Sequence, residues 1–384
     1  MSTNFFRRFL GTVNLLLIHG QIVGLVTFTH DRKKFQSCAW RKLYSVFLIF
    51  VKLGFGGFCM YVIPTITGVP SIYKNTGYLI MVANTTYAVT IWVSSILGSD
   101  SYIKLLAKII DFDVQLQTSC VIIDYNKAKK KGALHLLGRY VFMTVLCVYY
   151  HFSRARPQFA EKITEIAFIF LIVLNSAVCY QATELVATLK TRFVLLNKQI
   201  TTLVESSTTT VPKVDPQQIQ KDFAILCKVC TLHHHLSKCV RRFNQAFGVI
   251  LLAMFAASFN CIVLCLFYTS VALQMTVLNW DEVFYTAAAS VPFIVDSIFV
   301  CHVCYTTIEE ADKAGELIHR IETEDHDTID EIEMFSLQMA NEEVEFSAAG
   351  FFPVNYTLVF SIIGGVTTYI IILIQLSATI GKDH

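Results

Sequence analysis

The chain has 384 residues, of which 54% are hydrophobic and only 16% are charged, and its formal net charge is +2. Soluble domains carry about 25% charged residues. A soluble core could not absorb this much apolar surface, so the composition predicts an integral membrane protein. The small net charge gives no reason to expect a nucleic-acid partner, and the twelve Cys residues show no secreted disulfide framework.

The first apolar stretch, Phe9 to Phe28, follows two arginines and superficially resembles a signal peptide. It contains Asn14, His19 and Gln21, which are unfavourable at the centre of a bilayer. No convincing small-residue cleavage site follows it. We therefore predict an interfacial or half-buried helix here, not a spanning one.

Seven later stretches are long enough to cross the ~30 Å hydrocarbon layer, which takes about 20 mainly apolar residues at ~1.5 Å per residue. We name them S1 to S7, and they run roughly Leu43–Ile66, Gly77–Leu97, Ala133–Tyr150, Ile163–Leu189, Phe247–Leu273, Val283–Tyr305 and Phe351–Leu376. The ten-residue alternation of a membrane β-barrel does not occur. The predicted fold class is an all-α membrane protein with seven transmembrane helices.

Lys and Arg residues are distributed unequally between the two sides of the predicted membrane. Residues 1–42 and the S2–S3, S4–S5 and S6–S7 loops hold 24 of the 31, and the other side holds five. Because cytosolic loops carry the excess of positive charge, the N-terminus is predicted to be cytosolic and the C-terminus extracellular. A rhodopsin-type receptor has the opposite orientation, and its Asp-Arg-Tyr and Asn-Pro-x-x-Tyr motifs are missing from S3 and S7.

The S4–S5 loop contains the linker ESSTTTVPKVDP, and apolar residues at helical spacing follow it. The S6–S7 loop has 14 acidic residues against two basic ones and again shows helical spacing. We predict a cytosolic anchor bundle, whose acidic face either packs against the basic loops or is solvated. The predicted organisation is an N-terminal segment 1–42, the S1–S6 bundle 43–307 with a cytosolic extension 190–246, acidic anchor helices 308–350, S7 at 351–377 and an extracellular tail 378–384.

The densest group of possible metal ligands is Cys227, Cys230, His233, His234, His235 and Cys239. On a helix, Cys227 and His234 are ~10 Å apart along the axis, so only an adjacent pair such as Cys230 and His234 could share an ion. Zinc takes four ligands. His-Glu-x-x-His, Gly-x-Ser-x-Gly and phosphate-binding glycine motifs are missing from the sequence, and we expect neither a metal, a cofactor nor an enzymatic activity.

Asp296 lies in the middle of S6, where an ionisable side chain is costly and usually faces a partner or a cavity. Arg139 in S3 and Lys52 in S1 are candidate counter-charges. The sequence is compatible with a packing role, as an ion pair or a protonated carboxyl, and with a role in a ligand cavity or in gating.

Aromatic side chains in the outer halves of S2 to S6 suit the walls of a pocket for a small organic molecule, although each one alone is explained by packing or lipid contact. With two polar members, the candidate ligand-binding residues are Tyr87, Tyr149, Tyr150, Phe170, Asn260, Phe267, Tyr268, Tyr285, Phe293 and Asp296.

The last span ends in TTYIIILIQLS. On a helix, Thr368, Ile371, Ile372 and Gln375 share one face. Several copies around an axis could line an ion path, with a hydrophobic ring that dewets and a polar ring that replaces ion hydration. A Gln at the interfacial end of a lone helix explains the same residues equally well.

The segment GFFPVNYTLVFSIIGGVTTYIIILIQL resembles the C-terminal signature of the insect gustatory receptor family, which is Thr-Tyr, five hydrophobic residues and Gln-Phe. Here Thr368 and Tyr369 are followed by five apolar residues and Gln375, with Leu376 where Phe is usual. The preceding MFSLQMANEEVEFSAAGFF is also similar to that family's approach to S7.

The resemblance implies a tetrameric, ligand-gated, non-selective cation channel, related to the insect odorant receptors, in the plasma membrane of chemosensory neurons. Four S7 helices line the pore, the inner ends of S4 to S7 form the anchor, and each subunit holds a tastant in the outer half of S2 to S6. Gln375 and Leu376 then form the gate, and Tyr369 packs beneath it. The sweet-tuned branch usually has an acidic residue at the position of Ile370. Because this chain lacks that acidic residue, the resemblance favours a bitter, contact-pheromone or other non-sugar ligand.

The expected partners are a small-molecule tastant, the lipid bilayer, and further gustatory receptor chains in a homo- or heterotetramer. The alternatives are a metabotropic seven-helix receptor that acts through the acidic loop, and an accessory subunit that forms no pore alone. A transporter is disfavoured, because no internal repeat relates S1–S3 to S4–S6.

Overall fold

The computed structural model describes residues 3–31, 34–66, 71–117, 123–153, 159–209, 216–274 and 280–380, and most of these are helical. The ten helices in these ranges are α1 Thr3–Val23, α2 Ala39–Val62, α3 Ser71–Leu97, α4 Ser99–Gln117, α5 Tyr125–Ser153, α6 Phe159–Thr209, α7 Pro216–Gln274, α8 Trp280–Ile318, α9 His326–Asn341 and α10 Tyr356–Ile380. A 3₁₀ turn, Ile63–Thr65, follows α2. The strands β1 Phe28–His30 and β2 Phe35–Ser37 form one antiparallel hairpin, and β3 Ser347–Ala348 and β4 Phe352–Pro353 form another.

Seven helices in the described ranges are long and apolar enough to cross a membrane. They are α2, α3, α5, α6, α7, α8 and α10, and they correspond in order to S1 to S7. The prediction of an all-α protein with seven membrane helices is confirmed. α10 begins at Tyr356, later than the predicted start of S7, because the preceding residues form the β3–β4 hairpin.

The centre of the bundle is formed by α6, α7 and α8, and α8 packs most extensively on the other two. Fully buried side chains from the three helices include Cys179, Leu185, Leu251 and Cys301. By contrast, α2, α5 and α10 lie at the periphery and expose large apolar side chains, such as Phe50 at 69% exposure. Such faces are unfavourable in water and suit the hydrocarbon of a bilayer.

The two ends of the bundle differ. At one end, the 3₁₀ turn after α2, the starts of α3, α6 and α8 and the end of α7 lie together, and Ile63, Glu161, Tyr268 and Glu282 line a common cavity there. We call this the short-connection end. The opposite end, which we call the anchor end, holds α4, α9, the C-terminal part of α6 and the N-terminal part of α7.

The predicted half-buried helix corresponds to α1, which packs along α5 and α6. One face of α1, carrying Phe9 and Leu16, is buried in the core. Two of its polar residues have partners, since His19 Nε2 lies 3.0 Å from the Tyr140 hydroxyl and Gln21 donates to a backbone carbonyl at 3.0 Å. These contacts remove the cost that the polar side chains would carry in an isolated helix.

The S2–S3 connection forms α4, an amphipathic helix that the sequence analysis did not predict, and it packs on α7. Asp113 of α4 accepts two hydrogen bonds from the guanidinium of Arg192 in α6, at 2.7 and 3.0 Å, and both side chains are at most 5% exposed. The bidentate geometry satisfies both ions, which offsets their desolvation. The ion pair fixes α4 to the extension of S4.

The anchor end is built mainly by the long helices α6 and α7, of 51 and 59 residues. α9 begins after Asp325, whose carboxylate accepts a hydrogen bond from the Thr328 amide at 3.1 Å. After α9, the carboxylate of Glu342 lies 2.7 Å from His234 Nδ1 and 3.0 Å from Arg241 Nη2. The acidic segment therefore meets the basic extension of α7 at this point.

The β3–β4 hairpin sets the start of α10. Gly350 has a φ of +79°, a conformation that glycine adopts at little cost. Asn355 then caps α10 by accepting a hydrogen bond from the Thr357 amide at 2.9 Å. Asn244 of α7 accepts another from the Ser347 amide at 3.1 Å, so the hairpin is held on α7 where α10 begins.

Candidate functional site

A cavity of about 230 Å³ lies at the short-connection end, between the ends of α2, α3, α6, α7 and α8. Its apolar lining includes Ile63, Ile66, Ile80 and Met81. Its aromatic lining is Phe168, Tyr268 and Tyr285. Its charged lining is Lys74, Glu161, Glu165 and Glu282. The cavity therefore combines apolar walls with a few polar groups, as small-molecule sites do.

Two of the ten predicted ligand-binding residues, Tyr268 and Tyr285, line this cavity. The Tyr268 hydroxyl forms a hydrogen bond with the Thr76 hydroxyl of α3, which joins α7 to α3 beside the cavity. Phe267 is 1% exposed and packs beside Tyr268, with ring centroids 5.9 Å apart. Phe267 thus supports the cavity wall without lining it.

Phe170 and Phe168 of α6 have different surroundings. Phe170 is 38% exposed, and the Lys52 ammonium lies 4.5 Å from its ring centroid. Phe168 lines the cavity and packs on Phe293, with ring centroids 6.0 Å apart. Phe293 is fully buried and lies behind Phe168 instead of lining the cavity.

The other predicted aromatic and amide residues lie elsewhere. Tyr87 is buried in a polar network described below. Tyr149 is partly exposed on α5 and Asn260 is partly buried on α7, and neither belongs to the lining of the cavity. The side chain of Tyr150 lies outside the described part of the structure.

Asp296 lies in a buried polar network that joins five helices. Arg139 of α5 donates to one carboxylate oxygen at 2.6 Å, and Asn175 of α6 donates to the other at 3.0 Å. Asn175 in turn accepts hydrogen bonds from Tyr87 of α3 at 3.2 Å and Ser258 of α7 at 3.4 Å. Of the two candidate counter-charges, Arg139 is therefore the partner of Asp296.

Asn175, which was not among the predicted residues, is fully buried and holds the network together. A lone Asn within an apolar span was a usable signal, since a buried amide needs hydrogen-bond partners. Glu161, Glu165 and Glu282 were missed as well. The first two lie one turn apart near the start of α6, a spacing that is visible in the sequence and places both carboxylates on one face of the helix.

The helix α10 packs on its own subunit along one side only. Val366 is buried, and Ile362, Ile370 and Leu373 pack partly buried against the core. Each residue turns a helix by about 100° about its axis. Counted from the direction of Val366, the rotation about the axis of α10 is about 200° for Thr368, 140° for Ile371, 240° for Ile372 and 180° for Gln375. The four predicted pore-lining residues are therefore centred opposite the packed side. Ile371 and Ile372 are each about half exposed, at 51% and 50%.

One aromatic contact joins α10 to α7 near the middle of the span. The ring of Tyr369 meets that of Phe259 edge-on, with centroids 5.7 Å apart. Gly365, one turn earlier, lets the Phe259 ring approach, since a Cβ there would lie 3.0 Å from it. Leu376 is in α10, but its side chain lies outside the described part of the structure.

The Cys and His residues of α7 have separate environments. His233 is buried and lies 3.1 Å from the Ala311 carbonyl, whereas His234 contacts Glu342. Across the described ranges, no three His, Cys, Asp or Glu side chains are placed to hold a metal ion.

Comparison with known proteins places these features in a family. The sequence profile of the 7tm chemosensory receptor family matches residues 13–380. Gustatory receptor 28b of Drosophila melanogaster is 24% identical over 72% of this chain and 64% of its own length. Gustatory receptor 28a of the same species is 29% identical over 49% of this chain and 42% of its own length. The chain thus spans less than two thirds of these curated relatives.

The fold is similar to a solved structure, that of the insect olfactory receptor OR5 from Machilis hrabei in complex with eugenol. The TM-score is 0.65 at 14% sequence identity, and the match covers 95% of this chain and 97% of that chain. The family profile covers nearly the whole chain, and the seven membrane helices agree with it. The chain is therefore a multi-pass membrane protein that belongs to the 7tm chemosensory receptor family, and within it to the insect gustatory receptors, which are receptors and not enzymes.

Proposed function

We propose that the chain is a subunit of a ligand-gated, non-selective cation channel that responds to a small tastant in the plasma membrane of chemosensory neurons. Four copies, identical or mixed with other gustatory receptors, assemble with their α10 helices around a central axis. The tastant binds in the cavity at the short-connection end, which faces the outside of the cell.

The observation that carries this proposal is the two-sided nature of α10. One side packs on its own subunit through Val366, and the opposite side presents Thr368 and Gln375 among exposed isoleucines. Facing lipid, an amide is unfavourable. Facing an axis shared with other copies, the isoleucines form a hydrophobic ring and Gln375 a polar ring, the two elements from which channel gates are built.

The route from cavity to gate runs through α7. Tyr268 at the end of α7 lines the cavity, and Phe259 of the same helix contacts Tyr369 of α10. Ser258 beside it bonds to Asn175 and so connects α7 to the Asp296 network. A ligand that binds one arrangement of α7 and α8 more tightly shifts the equilibrium between the two arrangements, and with it the position of α10. The free energy of this shift cannot exceed the ligand's difference in binding free energy between the two arrangements.

The proposed orientation places the anchor end in the cytosol. Support comes from the excess of Lys and Arg in the segments at that end. A tag fused after His384 is expected to bind antibody on intact cells. A tag that is reached only after permeabilisation would reverse the orientation and remove the basis for an outward-facing cavity.

The decisive experiment substitutes Gln375→Ala and records currents from the chain expressed alone, screened against sugars, alkaloids and cuticular lipids. We expect altered conductance or gating with unchanged surface expression, since the side chain lies opposite the packed side of α10. Gln338→Ala in α9 is the matched control, because it makes the same chemical change away from α10.

Three outcomes would contradict the proposal. Currents from Gln375→Ala that match the wild type in block, selectivity and dose response would place the ion path elsewhere. Responses that require G proteins and vanish in excised patches would indicate a metabotropic receptor. Currents that appear only with a partner receptor and do not change with Gln375→Ala would indicate an accessory subunit. Ile370, at the position where the sweet-tuned branch usually has an acidic residue, supports a non-sugar ligand.

A further inference from the structure

A second cavity, of about 240 Å³, lies between α1, the start of α5 and the middle of α6, and we call it the α1–α5 cavity. Its wall includes Arg192 of α6, whose guanidinium binds Asp113 of α4. Because α4 belongs to the anchor end, the α1–α5 cavity lies on that side of the bundle. In the described part of the chain it shares no lining residue with the cavity at the short-connection end.

Some charged groups in the wall of the α1–α5 cavity already have partners. The Arg192 guanidinium donates to both carboxylate oxygens of Asp113, at 2.7 and 3.0 Å. The carboxylate of Glu184 lies 2.6 Å from His135 Nδ1. These groups are therefore engaged within the protein and do not need a ligand.

The charged side chains that remain in this wall are Lys129, Lys131 and Asp124. Asp124 caps α5 by accepting a hydrogen bond from the Lys127 amide at 2.9 Å. In the described part of the chain neither lysine of the wall forms an ion pair, and residues 118–122, which precede this segment and lie outside that part, include no acidic residue. With two ammonium groups and one carboxylate, this remainder carries a net positive charge.

The two lysines of the wall belong to a run of four in the first two turns of α5, whose other members are Lys127 and Lys130. Helix stability does not account for the run, because cations are unfavourable at the positive end of the helix dipole and like charges one turn apart repel. The positive-inside rule accounts for lysines on this side of the membrane, but not for two of them on the wall of a cavity. A negatively charged ligand accounts for both.

Two apolar stripes lead from the α1–α5 cavity onto the surface of the bundle. On α5, Ala133 lines the cavity, and Leu137 one turn later is 61% exposed. On α1, Leu15 lines the cavity, and Ile18 and Ile22, one and two turns later, are 45% and 66% exposed. The lysines therefore end where exposed apolar surface begins, as at the boundary between lipid headgroups and hydrocarbon.

We propose that the α1–α5 cavity binds the headgroup of an anionic phospholipid, with its phosphate between Lys129 and Lys131 and its acyl chains along the two stripes. Ammonium groups bind phosphate as compact point charges. The volume is below the ~300–1,000 Å³ that is typical of drug-sized ligands, so it admits a headgroup and leaves the chains outside. Anionic lipids are concentrated in the cytosolic leaflet, which the anchor end faces in the orientation proposed above.

The test compares dioleoylphosphatidylserine with dioleoylphosphatidylcholine, two lipids with the same acyl chains and with headgroups of different net charge. Binding of each lipid to the purified full-length protein in detergent is measured by native mass spectrometry. We expect the serine lipid to bind at least about tenfold more tightly than the choline lipid. The double variant Lys129→Gln with Lys131→Gln is expected to weaken binding of the serine lipid about tenfold or more, and to leave binding of the choline lipid unchanged.

Lys127→Gln with Lys130→Gln is the matched control, since it makes the same change of charge in the same two turns of α5, outside the cavity wall. It is expected to weaken binding of the serine lipid by less than about threefold. All four lysines are exposed, so neither double variant disturbs the core. Equal losses in the two double variants would indicate diffuse attraction to a basic segment and would overturn the cavity site.

Glycerophosphoserine, which carries the same headgroup without acyl chains, tests the role of the apolar stripes. We expect it to bind at least about tenfold more weakly than the serine lipid. Equally tight binding would assign the site to a soluble phosphate compound and overturn the lipid assignment. Equal binding of the serine and choline lipids would overturn the proposal as well. Because no current is measured, none of these outcomes depends on the channel proposal.

Discussion

Arg139 and Asp296 form an ion pair inside the helix bundle, with 2.6 Å between Nη1 and Oδ1 and side chains that are 13% and 3% exposed. Asn175 bonds the second carboxylate oxygen at 3.0 Å, so both oxygens of Asp296 are engaged. The pair joins α5 to α8, two helices that otherwise share little contact. Its energetic role is therefore open to a direct test.

Asp296→Asn keeps the shape of the side chain and leaves the Arg139 guanidinium without a counter-charge. Because removing one partner of a buried ion pair costs about 3–5 kcal/mol, we expect a clear fall in melting temperature and in surface expression. The melting temperature is measured by fluorescence-detected gel filtration of the solubilised protein.

The matched variant replaces both partners, Arg139→Met with Asp296→Leu. Replacing a buried pair by apolar side chains of similar volume is often nearly neutral, so we expect it to recover much of the lost stability. A double variant less stable than Asp296→Asn would show that the network contributes more than charge neutralisation.

The contact between Phe259 and Tyr369 predicts coupling between α7 and α10. Edge-on aromatic pairs contribute about 0.5–1.5 kcal/mol beyond their buried area. Phe259→Ala and Tyr369→Ala are each expected to shift the midpoint of the agonist dose–response curve by about 2- to 10-fold. The double variant is expected to shift it by less than the product of the two.

Phe360 supplies the control for this cycle, because it lies on α10 at 73% exposure. Phe259→Ala combined with Phe360→Ala is expected to give the product of the single shifts, since sites without a shared contact act independently. Additive effects of Phe259→Ala and Tyr369→Ala would mean that α7 does not act on the gate through this contact.

The spans could be predicted from the sequence because each is a long apolar run, and hydrophobic length alone decides whether a helix can cross a bilayer. The helix α4 was missed, since it is half polar and lies between two spans. The late start of α10 was missed because the hairpin before it depends on Asn244 of α7, which is remote in sequence.

The cavity shows where sequence reasoning ends. Phe168 and Phe170 have the same side chain and lie only two residues apart in α6. Two residues turn a helix by about 200°, so one of them lines the cavity and the other faces outward beside Lys52. The rotation of each helix is set by packing against its neighbours, which the local sequence does not record. The face of α10 that Thr368, Ile371, Ile372 and Gln375 share could be predicted, because it depends only on the period of one helix.

Gly248 of α7 lies against the β3–β4 hairpin, and a Cβ added there would meet the backbone nitrogen of Ala349 at 2.9 Å. Backbone has little room to move aside, so Gly248→Ala is expected to destabilise the protein by about 1–3 kcal/mol through overpacking. The resulting fall in melting temperature is measured as for the ion pair.

Gly138→Ala on α5 is the counterpart, since nothing lies within 4 Å of an added Cβ there. Ala is a better helix former than Gly by about 0.5–1 kcal/mol, so this variant is expected to be neutral or slightly stabilising. If Gly248→Ala melted at the same temperature as Gly138→Ala, the hairpin would not be held tightly against α7.

The carboxylate of Glu342 gives the anchor end a dependence on pH. Partial burial would raise the pKa of Glu342, but hydrogen bonds from Arg241 and His234 outweigh it and lower the pKa below its ordinary value of 4.5. A lowered folded-state pKa stabilises the protein above the unfolded value, and this contribution is lost as the pH falls through the folded-state pKa.

We therefore expect Glu342→Gln to lower the melting temperature slightly at pH 7, by an amount that corresponds to no more than about 1 kcal/mol for a largely solvated pair. As the pH falls through the folded-state pKa, the wild type loses the charge as well, and the difference between the two proteins is expected to vanish. Glu345→Gln, in the same exposed segment, is expected to behave as wild type across the whole acid titration. A difference between Glu342→Gln and the wild type that stays constant throughout the acid titration would assign the effect of Glu342 to packing, because protonation of the carboxylate would then not reproduce the effect of the substitution.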